Sequence, residues 1–314
     1  MGKHGIASRG RVCLPGDMEP SVQADILLRR IENEVRRRPL TDRRMGHAWT
    51  LVPILPLVVG IALFVALIGL VVSSLANIQQ STNVSSGVAD IFSLYVFAVI
   101  VVYAVVLLGS VAFYYLIDRR NRHFQRQQAF FASVPAYLLA VKDTKRHENI
   151  ARLMDLSEDS NFEEQNRPAS MWAILYIFAT PIAGLIIAYS LTQDLRKHEE
   201  RQSVYQQTLP SALEEAGFER PSISSSRYHN RDPILYVVLA AITAGLFWIY
   251  WFYTLLQDYN EHFIDQAIFE DQILSALKPM ITCTTCAGSI PQNVKFCPLC
   301  GAAQPISRTV PSNA

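Results

Sequence analysis

Residues Ile91–Ile117 read IFSLYVFAVIVVYAVVLLGSVAFYYLI, 27 residues without Asp, Glu, Lys, Arg or His. As an α-helix rising about 1.5 Å per residue the run would reach about 40 Å, more than the ~30 Å hydrocarbon core of a bilayer. A soluble helix keeps a polar face and a half-buried strand alternates; this run does neither. Three others share its character: Val52–Leu75, Met171–Leu191 and Ile234–Leu256, again without Asp, Glu, Lys, Arg or His. Between them lie strongly charged segments, so the mean hydropathy of +0.18 averages two kinds of sequence. The expected fold class is an all-α polytopic membrane protein with four hydrophobic segments, its membrane domain occupying residues 51–278.

Upstream, residues 1–50 form a basic region. An amphipathic helix is predicted over 21–38, stopped by Pro39, with Ile26, Leu27, Leu28, Ile31 and Val35 on one side and Arg29, Arg30, Arg36, Arg37 and Arg38 around the rest. Such a helix suits an anionic bilayer surface, or serves equally as a solvated topogenic segment. Trp49 fits an interfacial anchor. The first apolar run starts too late for a cleaved signal peptide. Five glycines and prolines precede Met18 without periodicity, which suggests Met18 as the natural start and would remove Cys13.

Loop charge sets the orientation. Ala76–Asp90 has no Lys or Arg and is placed outside; the N-terminus and Asp118–Ser170, with Arg119, Arg120, Arg122, Arg126, Lys142, Lys145 and Arg146, are placed inside. Alternation would then put Thr192–Pro233 outside despite Arg196, Lys197, Arg201, Arg220, Arg227 and Arg231. Two readings follow. Either the third and fourth runs are plain spans, or each is a re-entrant hairpin broken near Thr180-Pro181 and Thr243-Ala244-Gly245, with half-helices of about 11 residues reaching half the bilayer. Both leave the N- and C-termini cytoplasmic, in a protein of the cell membrane. Asn83-Val84-Ser85 is formally a glycosylation sequon and is read as chance.

The segments after the last three runs resemble one another. Tyr114, Tyr189 and Tyr253 each precede a histidine by nine residues (His123, His198, His262), and each histidine precedes a glutamine by four (Gln127, Gln202, Gln266). Leu116, Leu191 and Leu255 align as well, as do Asp194 with Asp258 and Pro135 with Pro210. Matches at constant offset point to three copies of a membrane helix or hairpin running into an amphipathic helix. His and Gln four apart share a helix face. The three histidines could form a metal or pH site, but no acidic residue recurs beside His123, so packing between helices is the favoured role.

The strongest chemical signal is Cys283-Thr-Thr-Cys286, ten residues, then Cys297-Pro-Leu-Cys300-Gly301. Two CxxC turns supply the four thiolates of a closed tetrahedral site, so a structural Zn²⁺ is expected at Cys283, Cys286, Cys297 and Cys300, without a catalytic zinc. Gly301 suits a positive-φ position and Phe296 is expected to cover the metal. A β-rich zinc ribbon is therefore predicted over residues 279–303, held by metal and kept reduced on the cytoplasmic side, with a disordered tail over 304–314.

Cys283–Ala302, including Lys295-Phe296-Cys297-Pro298-Leu299-Cys300-Gly301-Ala302, resembles the small zinc-ribbon modules of archaeal and bacterial proteins that are often appended to membrane segments. It departs in having Ala287 where the first knuckle commonly has Gly. Asp232–His262, with Thr243-Ala-Gly245 and Tyr250-Trp251-Phe252-Tyr253, resembles a prokaryotic membrane family of unknown function marked by a Thr-x-Gly-Ile-Tyr…Tyr-Trp segment; Leu246-Phe247 replaces Ile-Tyr. Neither resemblance implies an activity.

No nucleophile–base pair, phosphate loop or paired carboxylates stand out, so an enzyme is not expected. From Pro279 to Ala314 the chain has no Asp or Glu and only Lys295 and Arg308 as basic residues, too little charge for nucleic acid. The leading expectation is a cytoplasmic-face interaction or scaffold protein that meets the bilayer and, through the ribbon, a protein partner, with self-association left open. The alternative is a passive channel or small transporter built on the triplicated unit. Its weakness is the absence of charged residues within the apolar runs.

Overall fold

A computed structural model describes residues 20–78, 84–141, 148–218, 220–221, 230–278, 280–291, 296–297 and 299–304. Cys13, Met18, Asn83 and residues 305–314 of the tail lie outside them.

The first two apolar runs fall on α3 (Leu55–Ile78) and α4 (Val84–Val141). Among the described residues these helices are the two long and apolar enough to cross a membrane. Their apolar side chains point away from the protein, Phe64 being 64% and Phe92 66% exposed. A continuous apolar surface of this kind needs lipid or a partner. At 58 residues, α4 runs about 87 Å without a break, the apolar half passing directly into a polar stem. Pro135 sits within the stem and cannot donate to the Phe131 carbonyl one turn back. The buried Tyr205 hydroxyl donates there instead, at 3.1 Å, while its ring stacks on Phe131 at 4.1 Å.

The third and fourth runs are each broken into a short and a long helix. The first break, at Ala179, separates α6 (Ala169–Phe178) from α7 (Thr180–Glu215), whose first turn holds Pro181. The second separates α8 (Pro233–Ile242) from α9 (Phe247–Leu277). There Gly245 N–H donates to the Ala240 carbonyl and Ala244 N–H to that of Ala241, a Schellman stop with Ala244 and Gly245 at φ +49° and +90°. The chain then doubles back. Arg167, just before α6, reaches Asp194 on α7 at 2.7 and 2.8 Å; Arg231, just before α8, reaches Asp258 on α9 through Nη2 at 2.8 Å. Both Arg–Asp staples join residues 27 apart and close the open end of a hairpin. Close approach of the first hairpin to α4 requires Gly109, where a Cβ would lie 2.8 Å from the Tyr176 ring. The Ser110 hydroxyl donates to the Ala173 carbonyl beside it.

Below the hairpins α4, α7 and α9 run parallel and in register. Leu116, Leu191 and Leu255 share one apolar cluster with Phe113, Trp251 and Phe252. Further along, Phe130, Val134, Tyr205, Leu209, Phe269 and Ile273 share a second. The histidine and glutamine layers lie between the two. The N-terminal helix α1 (Pro20–Arg36) lays Leu27 and Ile31 into the second cluster, and α5 (Glu148–Glu163) adds Ile150 and Leu153. Apart from the exposed Ile26, the stripe expected to face an anionic bilayer is therefore covered by the protein itself, because α4 and α9 leave an apolar groove that it fills. After a turn at Arg37, Pro39 opens the short α2 (Arg38–Thr41). That turn carries Arg38 to Glu270 at 2.7 Å and to Asp271 at 2.9 Å. At the C-terminal end β1 (Met280–Thr282) pairs antiparallel with β2 (Ser289–Pro291), Ile281 opposite Ile290.

Candidate metal centres

The two CxxC turns come together after α9. Cys283 Sγ lies 3.8 Å from Cys300 Sγ, Cys286 Sγ lies 3.8 Å from Cys297 Sγ, and all four sulfurs fall within 4.8 Å of one another. A tetrahedron with metal–sulfur bonds of about 2.3 Å has edges of about 3.8 Å, so the four thiols are spaced to hold Zn²⁺.

The two turns are copies in backbone detail. Thr285 N–H points at Cys283 Sγ and Leu299 N–H at Cys297 Sγ, both at 3.4 Å. Cys283 N–H donates to the Gly288 carbonyl and Cys297 N–H to that of Ala302. The residue after each second cysteine has positive φ, Ala287 at +57° and Gly301 at +73°. Gln304, assigned by sequence to the tail, is buried and donates to Cys283 Sγ at 3.2 Å. Backbone N–H groups of Cys286 and Thr285 hold Cys283 down at about 6. For Cys300 the Ala302 N–H works the same way, but burial and the neighbouring thiols outweigh it and push it up to about 12. Four such thiols ionise together only around a cation. Phe296 is 64% exposed and does not cover the cluster. Leu299 lies beside Gly288, where its Cδ1 would meet a Cβ at 2.4 Å, and is likewise exposed.

Ala287 pays for its left-handed backbone where Gly301 does not. The change Ala287→Gly is expected to stabilise the metal-bound state by about 1 kcal/mol after allowing for the extra chain entropy of glycine. That is roughly a fivefold gain in zinc affinity, measured by competition with a chromophoric chelator.

The repeat places its three histidines in one layer. His123, His198 and His262 have ring centroids 5.0 to 5.6 Å apart, and each ring is inclined by 70° or more to its neighbours. All are buried, with 0, 2 and 1% exposure. Nε2 of His123 and of His262 are 3.1 Å apart. The Nε2 of His198 has no hydrogen-bond partner. On the outer side each Nδ1 faces a carboxylate: Asp42 at 3.1 Å, oblique for a hydrogen bond, Glu164 at 2.8 Å and Glu199 at 3.4 Å. Phe124 stacks flat on His198 at 4.2 Å and Phe263 lies over His123 at 4.6 Å.

One turn along, Gln127 donates to Gln202, Gln202 to Gln266, and Gln266 to Glu270. The oxygen at the head of this chain, Gln127 Oε1, has no partner. Burial acts to raise Asp42 and Glu164, but His123 and Arg126 around the first, and His198 and Arg201 around the second, hold both below the ordinary carboxylate range. Burial pulls all three imidazoles below their ordinary value, against the carboxylates. The carboxylates come from the residue after α2, the residue after α5 and α7, places with no common spacing to their histidines. The sequence therefore offers no signal for Asp42 or Glu164. Glu199 does follow His198, but faces the histidine of the next helix.

Compared with known proteins, the chain matches no protein-family model, no curated protein and no solved structure.

Proposed function

We propose that this protein is a membrane-anchored docking platform: a bilayer-held base, a polar three-helix stem at the cytoplasmic face, and a zinc-held module on top that engages a protein partner. The observation that carries the reading is the pair of Arg–Asp staples, since each returns its hairpin to the side from which it entered. With ten residues, α6 and α8 each rise about 15 Å, half the hydrocarbon depth, so the hairpins re-enter while α3 and α4 span. All three polar helices then share the side of the basic segments, which the positive-inside rule makes cytoplasmic, and reduced thiols agree. The module exposes Phe296 and Leu299, an apolar tip suited to a protein surface and short of charge for nucleic acid. Leu116, Leu191 and Leu255 fill the stem above the histidine layer, which favours a platform over a passive pore.

The topology is tested with Lys197→Cys and Gln125→Cys, each in a Cys13→Ser background with zinc present, using a membrane-impermeant maleimide. Both are expected to label only after the cells are opened. Labelling of Lys197→Cys from outside would break the shared side. Docking is tested by crosslinking pull-down with Phe296→Asp plus Leu299→Asp; an unchanged set of partners counts against the tip.

A further inference from the structure

We propose that His123, His198 and His262 form a second, buried metal site that holds one Zn²⁺ through their Nε2 atoms. Each Nδ1 lies within 3.4 Å of a carboxylate oxygen, hydrogen-bonded at His198 and oblique at His123, and negative charge on that side favours the proton on Nδ1 with the Nε2 lone pair inward. Three neutral imidazoles in that tautomer set three lone pairs against one another in a sealed layer. The 3.1 Å between Nε2 of His123 and of His262 is then repulsive unless a cation lies between them. A single added proton would bridge those two rings and still leave Nε2 of His198 bare. A metal ion engages all three.

The geometry is close to a loaded site. Zinc–nitrogen bonds of about 2.0–2.1 Å in a tetrahedron set nitrogens about 3.3 Å apart, and the three rings offer ligand atoms within 4.8 Å of one another. Imidazole nitrogens with no directly facing carboxylate select a borderline ion such as Zn²⁺ over Mg²⁺ or Ca²⁺. Asp42, Glu164 and Glu199 stand behind the rings, where outer carboxylates orient metal-bound histidines. Gln127 Oε1, buried, unpaired and on the same face of α4 as His123, offers a fourth donor. The leucines on one side and the glutamine chain on the other exclude bulk water, so the ion locks three helices at the junction of the two apolar clusters. This site is independent of the membrane topology and of any docking partner.

The test counts zinc in the full-length chain in lipid nanodiscs. Two equivalents per chain are expected for the wild type, and one for a variant with Cys283, Cys286, Cys297 and Cys300 all changed to serine. X-ray absorption on that remaining ion should show imidazole nitrogens at about 2.0–2.1 Å and no sulfur. His198→Gln should keep only the cysteine-bound equivalent. Glu164→Gln, which leaves the ligands in place, should retain the site with affinity lowered about 10- to 100-fold. If His198→Gln does not fold, the Glu164→Gln titration decides alone. No zinc bound by the four-serine variant, a second equivalent indifferent to His198→Gln, or unchanged affinity in Glu164→Gln overturns the proposal.

Discussion

Replacing Arg126 with methionine is expected to destabilise the stem by about 3–5 kcal/mol, the cost of leaving a buried charge without its partner. Arg126 is fully buried and its guanidinium joins three elements. It meets Asp42, after α2, at 2.8 and 3.3 Å, and Glu270 on α9 at 2.8 Å, from its own place on α4. Without it Asp42 keeps only Thr41 and the oblique contact to His123, and Glu270 keeps Arg38 and Gln266. With total stabilities of about 5–15 kcal/mol for a domain, the loss is a large share. The pH dependence carries the same signature. Asp42 has a depressed native pKa, so its stabilisation is complete above the unfolded value of about 3.9 and is lost as pH falls below it. Removing Arg126 raises the native value toward the unfolded one, so the variant, less stable at neutral pH, should lose less of its remaining stability on acidification than the wild type does. Denaturant unfolding in micelles across pH 3–7 measures both; a variant within 1 kcal/mol of wild type and with an unmoved profile would show that the network is dispensable.

That network marks the boundary of what the sequence makes legible. The apolar runs, their breaks near Pro181 and Gly245, the cysteine cluster and the convergence of His123, His198 and His262 can all be read, because each depends on local composition or on a constant offset. The Arg–Asp staples are legible too if the repeat is extended upstream, since Arg167 and Arg231 stand at the same distance before Asp194 and Asp258. The first copy breaks the pattern: Arg119 stands where those aspartates stand, and donates to the Leu255 carbonyl and to Asn260 instead. What supports the histidines is not legible. Asp42 and Glu164 arrive from segments outside the repeat, placed by how α1, α2 and α5 pack, and long-range packing leaves no spacing to read. The apolar stripe of α1 fails for a different reason. Leu27 and Ile31 would look the same against lipid as they do against α4, so amphipathicity gives the face and not what covers it.

Stripping zinc from the cysteine cluster, or changing Cys283 and Cys297 together to serine, is expected to unfold residues 280–304 while the helices stay intact. The strands β1 and β2 are three residues each, joined by a two-stranded ladder with one further bridge between Phe296 and Ala303, and so small a fold has almost no core. Zinc binding by such modules is worth an apparent ~10–16 kcal/mol, and that free energy is the folding free energy. Hydrogen exchange of the 280–304 peptides should therefore change from protected to fully exposed on chelation, with peptides from α4, α7 and α9 unaltered. Acid should have the same effect, since protons compete for the four sulfurs. The exposed Cys286 and Cys300 give a chelator direct access, whereas the histidine layer is sealed between apolar clusters. Release is accordingly expected in two phases: a fast one that unfolds the module and a slow one that waits on opening of the stem. Protection of 280–304 that survives complete removal of zinc would mean that the module is held by packing, contrary to everything its size implies.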